Sequence, residues 1–273
     1  MQQFYSNYFE SSSMLHGSMN GIMGTRLDML LPGIEKNEAE SIWHQSIAEL
    51  IRLDKMLNRF DGESELSYIN KEAVKTYVGM SCELWNILTS CKKYHADTGG
   101  LFDITLNDFL TVSFDESAKT VFFTNPDLIF DLGAYAKGYA LRQIKKILTG
   151  RSVKSAFVDF GNSSVLAIGS HPHGDSWHVS IENPFNKGEI LGSVKLKDQA
   201  MSTSGNTPAH TKHIMNPVTK EYLVEKKIVS VVVDCPAEAE VITTALMIAD
   251  EEKNNIIQKN FVIDSLKIYN NLN

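Results

Sequence analysis

FDLGAYAKGYALRQIKKILTGRSVKSAFVDFGNSSVLAIG, residues 130 to 169, is the stretch on which the fold turns. AYAKGYALRQIKKIL fits a helix closed by Gly150. SAFVDF and SVLAIG follow it, rich in Val, Phe and Ile and bounded by Gly and Asn, so they read as strands. Further strand-like runs lie around this segment: TVFFT before it, then SWHVSIE, ILGSVKLK and IVSVVVD after it. Helices interrupt these groups of strands without a regular βαβα alternation. The pattern predicts an α+β fold of mixed sheets flanked by helices, not a doubly wound parallel sheet.

The other helices are legible from spacing and caps. After Gly33, Ile47, Leu50, Ile51, Leu53 and Leu57 make an apolar stripe, with Asn37 and Glu40 spaced as a capping box. A second helix is expected from Ser81 to about Thr98, with Leu84, Ile87, Leu88 and Cys91 inward and Gly99-Gly100 ending it. The last begins near Pro236, where proline suits a first turn, and runs through Ile248. There is no internal repeat or low-complexity linker, so a single domain over 19–273 is expected after a polar tail, 1–18.

Composition excludes several classes. The 273 residues are 43% hydrophobic and 22% charged, as in globular proteins. Lys and Arg number 26 against 33 Asp and Glu, a net charge of -7, and no basic cluster suggests a nucleic-acid surface. Cys82, Cys91 and Cys235 lack CxxC spacing and read as buried filler rather than a disulfide framework or zinc site. No apolar run is long enough for a secretory signal or a membrane span, so the chain as written reads as cytoplasmic.

Several strings carry candidate chemistry. In FDLGAYAKGYAL, Asp131 falls where a strand-like IFD meets a helix start, whose unpaired N–H groups favour anions such as a diphosphate. Lys137, on the first turns, suits a charge-assisted contact to a phosphate or ligand carbonyl. Equally, Gly133 and Gly138 suit plain helix packing, with Lys137 in solvent. The string is neither GxGxxG nor a Walker loop. AMSTSGNTPAHTKHIMNP, residues 200 to 217, is a loop by composition. Its hydroxyls at Ser202, Thr203, Ser204 and Thr207, with His210 and His213, offer neutral donors and a near-neutral base. In PAEAEVITTALMIAD, Glu240 and Thr244 share one helix face, a partial shell for a hard cation such as magnesium. The alternative is an exposed Glu, with Thr244 bonded to its own backbone. Phe60, at a helix exit, suits either stacking on a flat ring or core packing. GIMGTRLDM reads as a turn into a strand, and the glycines of TGGLFDIT permit close backbone approach to a ligand.

Taken in order, MGT (23–25), SELSYIN (64–70), GGLFDIT (99–105), DLGAYAKGYA (131–140), TSGN (203–206), HIMNP (213–217) and AEVITTAL (239–246) resemble the FAD:protein FMN transferase family, also called ApbE, over about residues 19 to 263. The resemblance implies a T-fold-related catalytic domain. It further implies a Mg2+-dependent enzyme with FAD as substrate, which attaches FMN to a threonine of a target flavoprotein and releases AMP. By match to the family motifs, Met23 and Phe60 lie against the flavin, and Leu101, Phe102 and Asp103 contact the cofactor at the glycine turn. Asp131 and Lys137 bind it from the DLG helix, and Thr203, Ser204 and Ile214 belong to the same cofactor site. The implied magnesium site is the Ala134 carbonyl with Glu240 and Thr244. His213 is the implied proton-transfer group that activates the acceptor threonine.

The chain also departs from the family pattern, as a shortened and divergent member would. Glu240 stands where the family usually has Asp, and Phe60 where it has Tyr or Trp. GNSS (161–164) replaces GGD, Asn216 replaces the HIIDP aspartate, and Lys220 replaces a later glycine. A tryptophan-containing helical insert expected between Leu110 and Asp131 is missing. Family members are often exported lipoproteins, and no lipid-modified cysteine sits near this N-terminus. These departures keep two alternatives in view: a non-catalytic flavin- or partner-binding module, and slow FAD hydrolysis to FMN and AMP.

Overall fold

The protein is described by a computed structural model over residues 3–105, 107–208 and 214–272. It opens with a meander of β1 (Gln3–Phe9), β2 (Met14–Ile22) and β3 (Thr25–Pro32), followed by α1 (Lys36–Leu57), α2 (Glu65–Glu72), β4 (Val78–Gly79) and α3 (Cys82–Asp97). β5 (Val112–Asp115), β6 (Thr120–Phe123) and α4 (Ala136–Gly150) lead to two hairpins, β7 (Ala156–Phe160) with β8 (Ser164–Ile168), and β9 (Trp177–Glu182) with β10 (Ile190–Leu196). The chain continues through β11 (Ala200–Gly205), β12 (Ile228–Val233), α5 (Pro236–Ile248), α6 (Glu251–Asn260) and β13 (Ser265–Tyr269).

Among the described residues the strands form three sheets. The largest has eight strands in the order β1-β2-β3-β7-β8-β11-β12-β13; β4-β6-β5 and β9-β10 form the other two. Every pairing between named strands is antiparallel. The α+β class therefore holds, with helices inserted as long excursions between antiparallel strands. No helix of the described residues is long and apolar enough to cross a membrane.

Helices α1, α4 and α5 cover one face of the large sheet. The β9-β10 hairpin packs against the other, where Val165, Ala167, Met201, Ile228 and Val232 meet Trp177, Ile181, Val194 and Leu196. Strands β8 and β12 are consequently buried on both faces, and SVLAI and IVSVVV are buried at every position. Two-sided burial explains why these strands read as unbroken apolar runs rather than alternating ones. Gly17 on β2 lets α1 come close, since a Cβ there would stand 2.5 Å from the ring of the fully buried Trp43.

The structure corrects several expectations. Helix α1 is capped by Glu35, whose carboxylate accepts from the Asn37 and Glu38 amides, rather than by an Asn37–Glu40 box. Residues read as a polar tail hold β1 and the first part of β2, because β1 pairs with β2 along its whole length. AMSTSG, read as loop, is the interior strand β11, between β8 and β12. Its hydroxyls satisfy one another inside the protein: Ser204 donates to Thr243, Ser202 pairs with Thr243, and Thr203 pairs with Ser230. The strand-like IFD is irregular backbone, held from outside the sheet. Helix α6 and strand β13 carried too weak an apolar pattern to be read from sequence.

The far end of α5 has an unusual cap. Lys227 is 9% exposed, and its ammonium donates to the Leu246 and Met247 carbonyls at 2.8 and 2.9 Å. A cation at a helix C-terminus satisfies carbonyls that have no helical partner, while burial pulls the Lys227 pKa down. Replacing Lys227 by Met should cost about 2 kcal/mol, since hydrogen bonds to a charged donor contribute roughly 1.5–3 kcal/mol. Urea unfolding checks this; an unchanged midpoint would show that the cap contributes nothing.

Candidate functional site

A cavity of about 1160 Å³ opens between the large sheet, the β9-β10 hairpin and the N-terminal turns of α4 and α5. That is large beside the roughly 300–1,000 Å³ of ordinary small-molecule sites. Met23, Leu101, Phe102, Asp103, Asp131, Ala134, Lys137, Thr203, Ser204, Ile214, Glu240 and Thr244 all line it. Residues far apart in the chain thus meet around one cavity. Phe60 does not: it is 82% exposed and outside the lining. Its link to the cavity is indirect, through Arg59, which lies 4.1 Å over the Phe60 ring and reaches Asp131 at 2.8 Å. His213 and His210 lie outside the described residues.

The DLG segment is irregular because it is pinned at several points. Asn70 clamps the Phe130 peptide, its amide donating to the carbonyl at 2.9 Å and its oxygen accepting the N–H at 2.7 Å. Asp131 N donates to Ile104 O, and Asp131 Oδ1 accepts from Gly133 N at 2.8 Å. The GGLFDIT turn is built the same way. Gly99 and Gly100 have φ of 61° and 88°, which favour glycine. Asp103 accepts from the Thr105 amide and hydroxyl and from Phe109 N. Its carboxylate is therefore occupied in shaping the wall. Met23 adopts φ 45°, unusual for a non-glycine residue, in the turn between β2 and β3 at the cavity edge.

The α4–α5 crossing brings charge together. Lys137 Nζ lies 3.2 Å from both carboxylate oxygens of Glu240. Glu240 is only 4% exposed, so the exposed-glutamate alternative is overturned. Ser164 donates a further hydrogen bond to Glu240 Oε1. The back-bonded threonine of this helix is Thr243, which donates to Ala239 O at 2.9 Å, leaving Thr244 among the cavity-lining residues.

Charge in the cavity is one-sided. Asp103, Asp131, Asp159, Glu182 and Glu240 line it, and among the described residues Lys137 is the lysine or arginine that does. A diphosphate entering such a wall needs added positive charge. Glu240, the Thr244 hydroxyl and the Ala134 carbonyl are hard oxygen donors of the kind magnesium takes, usually with one or two carboxylates and the substrate's phosphates completing the shell. Among the described residues no group of three or more His, Cys, Asp or Glu is placed to hold a metal, so phosphate oxygens would have to contribute. The donor set fits a cation that arrives with a phosphate ligand.

Sequence reasoning missed Asn70, Arg59, Asp159 and Ser164 as parts of this site. Asn70 and Ser164 each lie inside a quoted motif, SELSYIN and GNSS, and only their partners in space disclose what they do.

The fold class is that of solved flavin transferases: the flavin transferase ApbE from Vibrio cholerae superposes with a TM-score of 0.80 at 17% identity, covering 95% of this chain and 97% of that one. The ApbE family model matches residues 23–120 and 108–264, and the chain belongs to that family. Among relatives named FAD:protein FMN transferase, that of Rhodobacter capsulatus is 36% identical over 144 residues, 50% of this chain and 27% of its own length. That of Escherichia coli K12 is 23% identical over 273 residues, covering 85% of this chain and 77% of the relative.

Asp159, on the cavity wall, supplies a pH test. Burial pushes its carboxyl up, the Asn162 amide opposes this, and the Asp28 carboxylate across the strand pair adds to it. A raised folded-state pKa means stability present at acid pH and lost as pH rises through that pKa. Asp159→Asn should therefore raise the melting temperature at pH 7, and the gain should vanish by about pH 3, below the ordinary aspartate range. Thermal unfolding across this pH range checks both signs.

Proposed function

We propose that this protein transfers FMN from FAD to a threonine of a target flavoprotein and releases AMP, with Mg2+ as the assisting cation. The observation that carries this reading is the buried Glu240–Lys137 pair beside Thr244, on the wall of a large acidic cavity. A cavity so acidic suits a dianionic diphosphate only when a divalent cation accompanies it. The names of the relatives, FAD:protein FMN transferase, support the substrate and the reaction.

In this reading the acceptor threonine oxygen forms a bond to the FMN-side phosphorus. The bond from that phosphorus to the bridging oxygen breaks, and AMP leaves with the bridging oxygen. The threonine proton passes to a base, for which His213 is the candidate. Glu240, Thr244 and the Ala134 carbonyl would hold magnesium, which when bound neutralises charge developing on the phosphate oxygens. Lys137 offers an ammonium to the diphosphate. Met23, Leu101, Phe102, Thr203, Ser204 and Ile214 enclose the rest of the ligand, and Asp131, tied to Arg59, holds the DLG turn in place. The exposed Phe60 packs against Arg59, outside the cavity lining.

Incubation with FAD, Mg2+ and an acceptor flavoprotein domain should yield covalent flavin on the acceptor and an equal amount of AMP. Glu240→Gln should lower the rate on the order of a hundredfold, because it weakens the hold on the cation that would stabilise developing negative charge, and losing one such stabilising group costs about that much. AMP without labelled acceptor would mean that water takes the flavin phosphate. Neither product, under conditions where an ApbE transferase works, would refute the proposal.

A further inference from the structure

Glu240 is buried, and a buried carboxylate without a partner is strongly disfavoured. In this structure Lys137 supplies the countercharge, with its ammonium 3.2 Å from each carboxylate oxygen. The two partners differ in freedom. The Glu240 side chain is 5% exposed and also bonded to Ser164, whereas Lys137 is 20% exposed and reaches in from the cavity on a flexible four-carbon stem. The lysine is the partner able to leave.

We infer that Lys137 is an exchangeable countercharge: it occupies Glu240 until a divalent cation takes the carboxylate, and then moves to the phosphate of the nucleotide. This rests on the cation-assisted reading above and adds an order to it. A cation and an ammonium repel each other at the same pair of oxygens, so a cation entering alone must break the lysine's only ion pair among the described residues. Three other acids of the cavity lining already hold partners: Asp131 has Arg59 and Gly133, Asp103 has Thr105 and Phe109, and Asp159 accepts from Asn162 N. A diphosphate gives the displaced ammonium a partner. Cation and nucleotide therefore bind as a coupled pair, and the cation alone binds weakly.

Mn2+ serves as the probe, its binding measured directly by calorimetry and electron paramagnetic resonance without nucleotide. Lys137→Gln should bind Mn2+ more tightly than the unaltered protein, on the order of tenfold, within the usual range of coupling between sites. Lys137→Arg, which keeps the charge, should stay weak. Equal or weaker Mn2+ binding by Lys137→Gln would overturn the exchange while leaving the cation site standing. Absence of Mn2+ binding by the unaltered protein, with or without FAD, would instead overturn the cation-assisted reading itself. Should Lys137→Gln fail to fold, a crystal structure of the unaltered protein with Mn2+ and FAD decides the matter. Lys137 Nζ on a phosphate oxygen supports the exchange; Nζ still on both oxygens of Glu240 beside a bound cation refutes it.

Discussion

The contact between α4 and α5 at Gly138 is the constraint on which this structure depends. A Cβ at that position would stand 2.5 Å from the Pro236 carbonyl and 2.7 Å from Glu240 Cγ, closer than real Cβ atoms come. Only a hydrogen there lets the α4 backbone come this close to the backbone and Glu240 side chain of α5. With the helices so close, Lys137 and Glu240 meet over the cavity although they lie 103 residues apart in the chain. A larger residue would force the helices apart, and the buried carboxylate would lose its countercharge.

The rest of the fold holds that crossing in place. The central strands are sealed by helices on one face and by the β9-β10 hairpin on the other, so they form a rigid floor beneath α5. Thr243 keys α5 to that floor by accepting from Ser204 and donating back to Ala239. At the other side, Asn70 and the Ile104 carbonyl pin the DLG segment, which fixes the entry of α4. Hydroxyl and amide groups do this positioning where apolar packing alone would leave register undetermined.

Much of this was legible from residue order. The helices around Leu50, Leu88, Leu141 and Ile242 followed from apolar spacing and end signals, and the strands SAFVDF, SVLAIG and IVSVVVD from their composition. The strand AMSTSG was not legible, because serine and threonine resemble loop residues until their partners are known, and here those partners are Thr243 and Ser230 on other elements. The N-terminal strand β1 was hidden for a related reason: as an edge strand it stays largely exposed and shows no apolar run. In the site, Lys137, Glu240 and Thr244 stood out by type and spacing, whereas Phe60 suited stacking in sequence yet is exposed, outside the cavity lining and against Arg59.

By itself the sequence determined the α+β class, the main helices, the apolar strands β7, β8 and β12 of the large sheet and the set of chemically capable residues, since these follow from short-range periodicity and residue type. Tertiary structure alone decided which of those residues meet. The burial of Glu240, its pairing with Lys137 and Ser164, and the clamp of Asn70 on Phe130 all join positions distant in the chain. Such contacts depend on how helices and sheet pack in three dimensions, and local spacing carries no information about that packing.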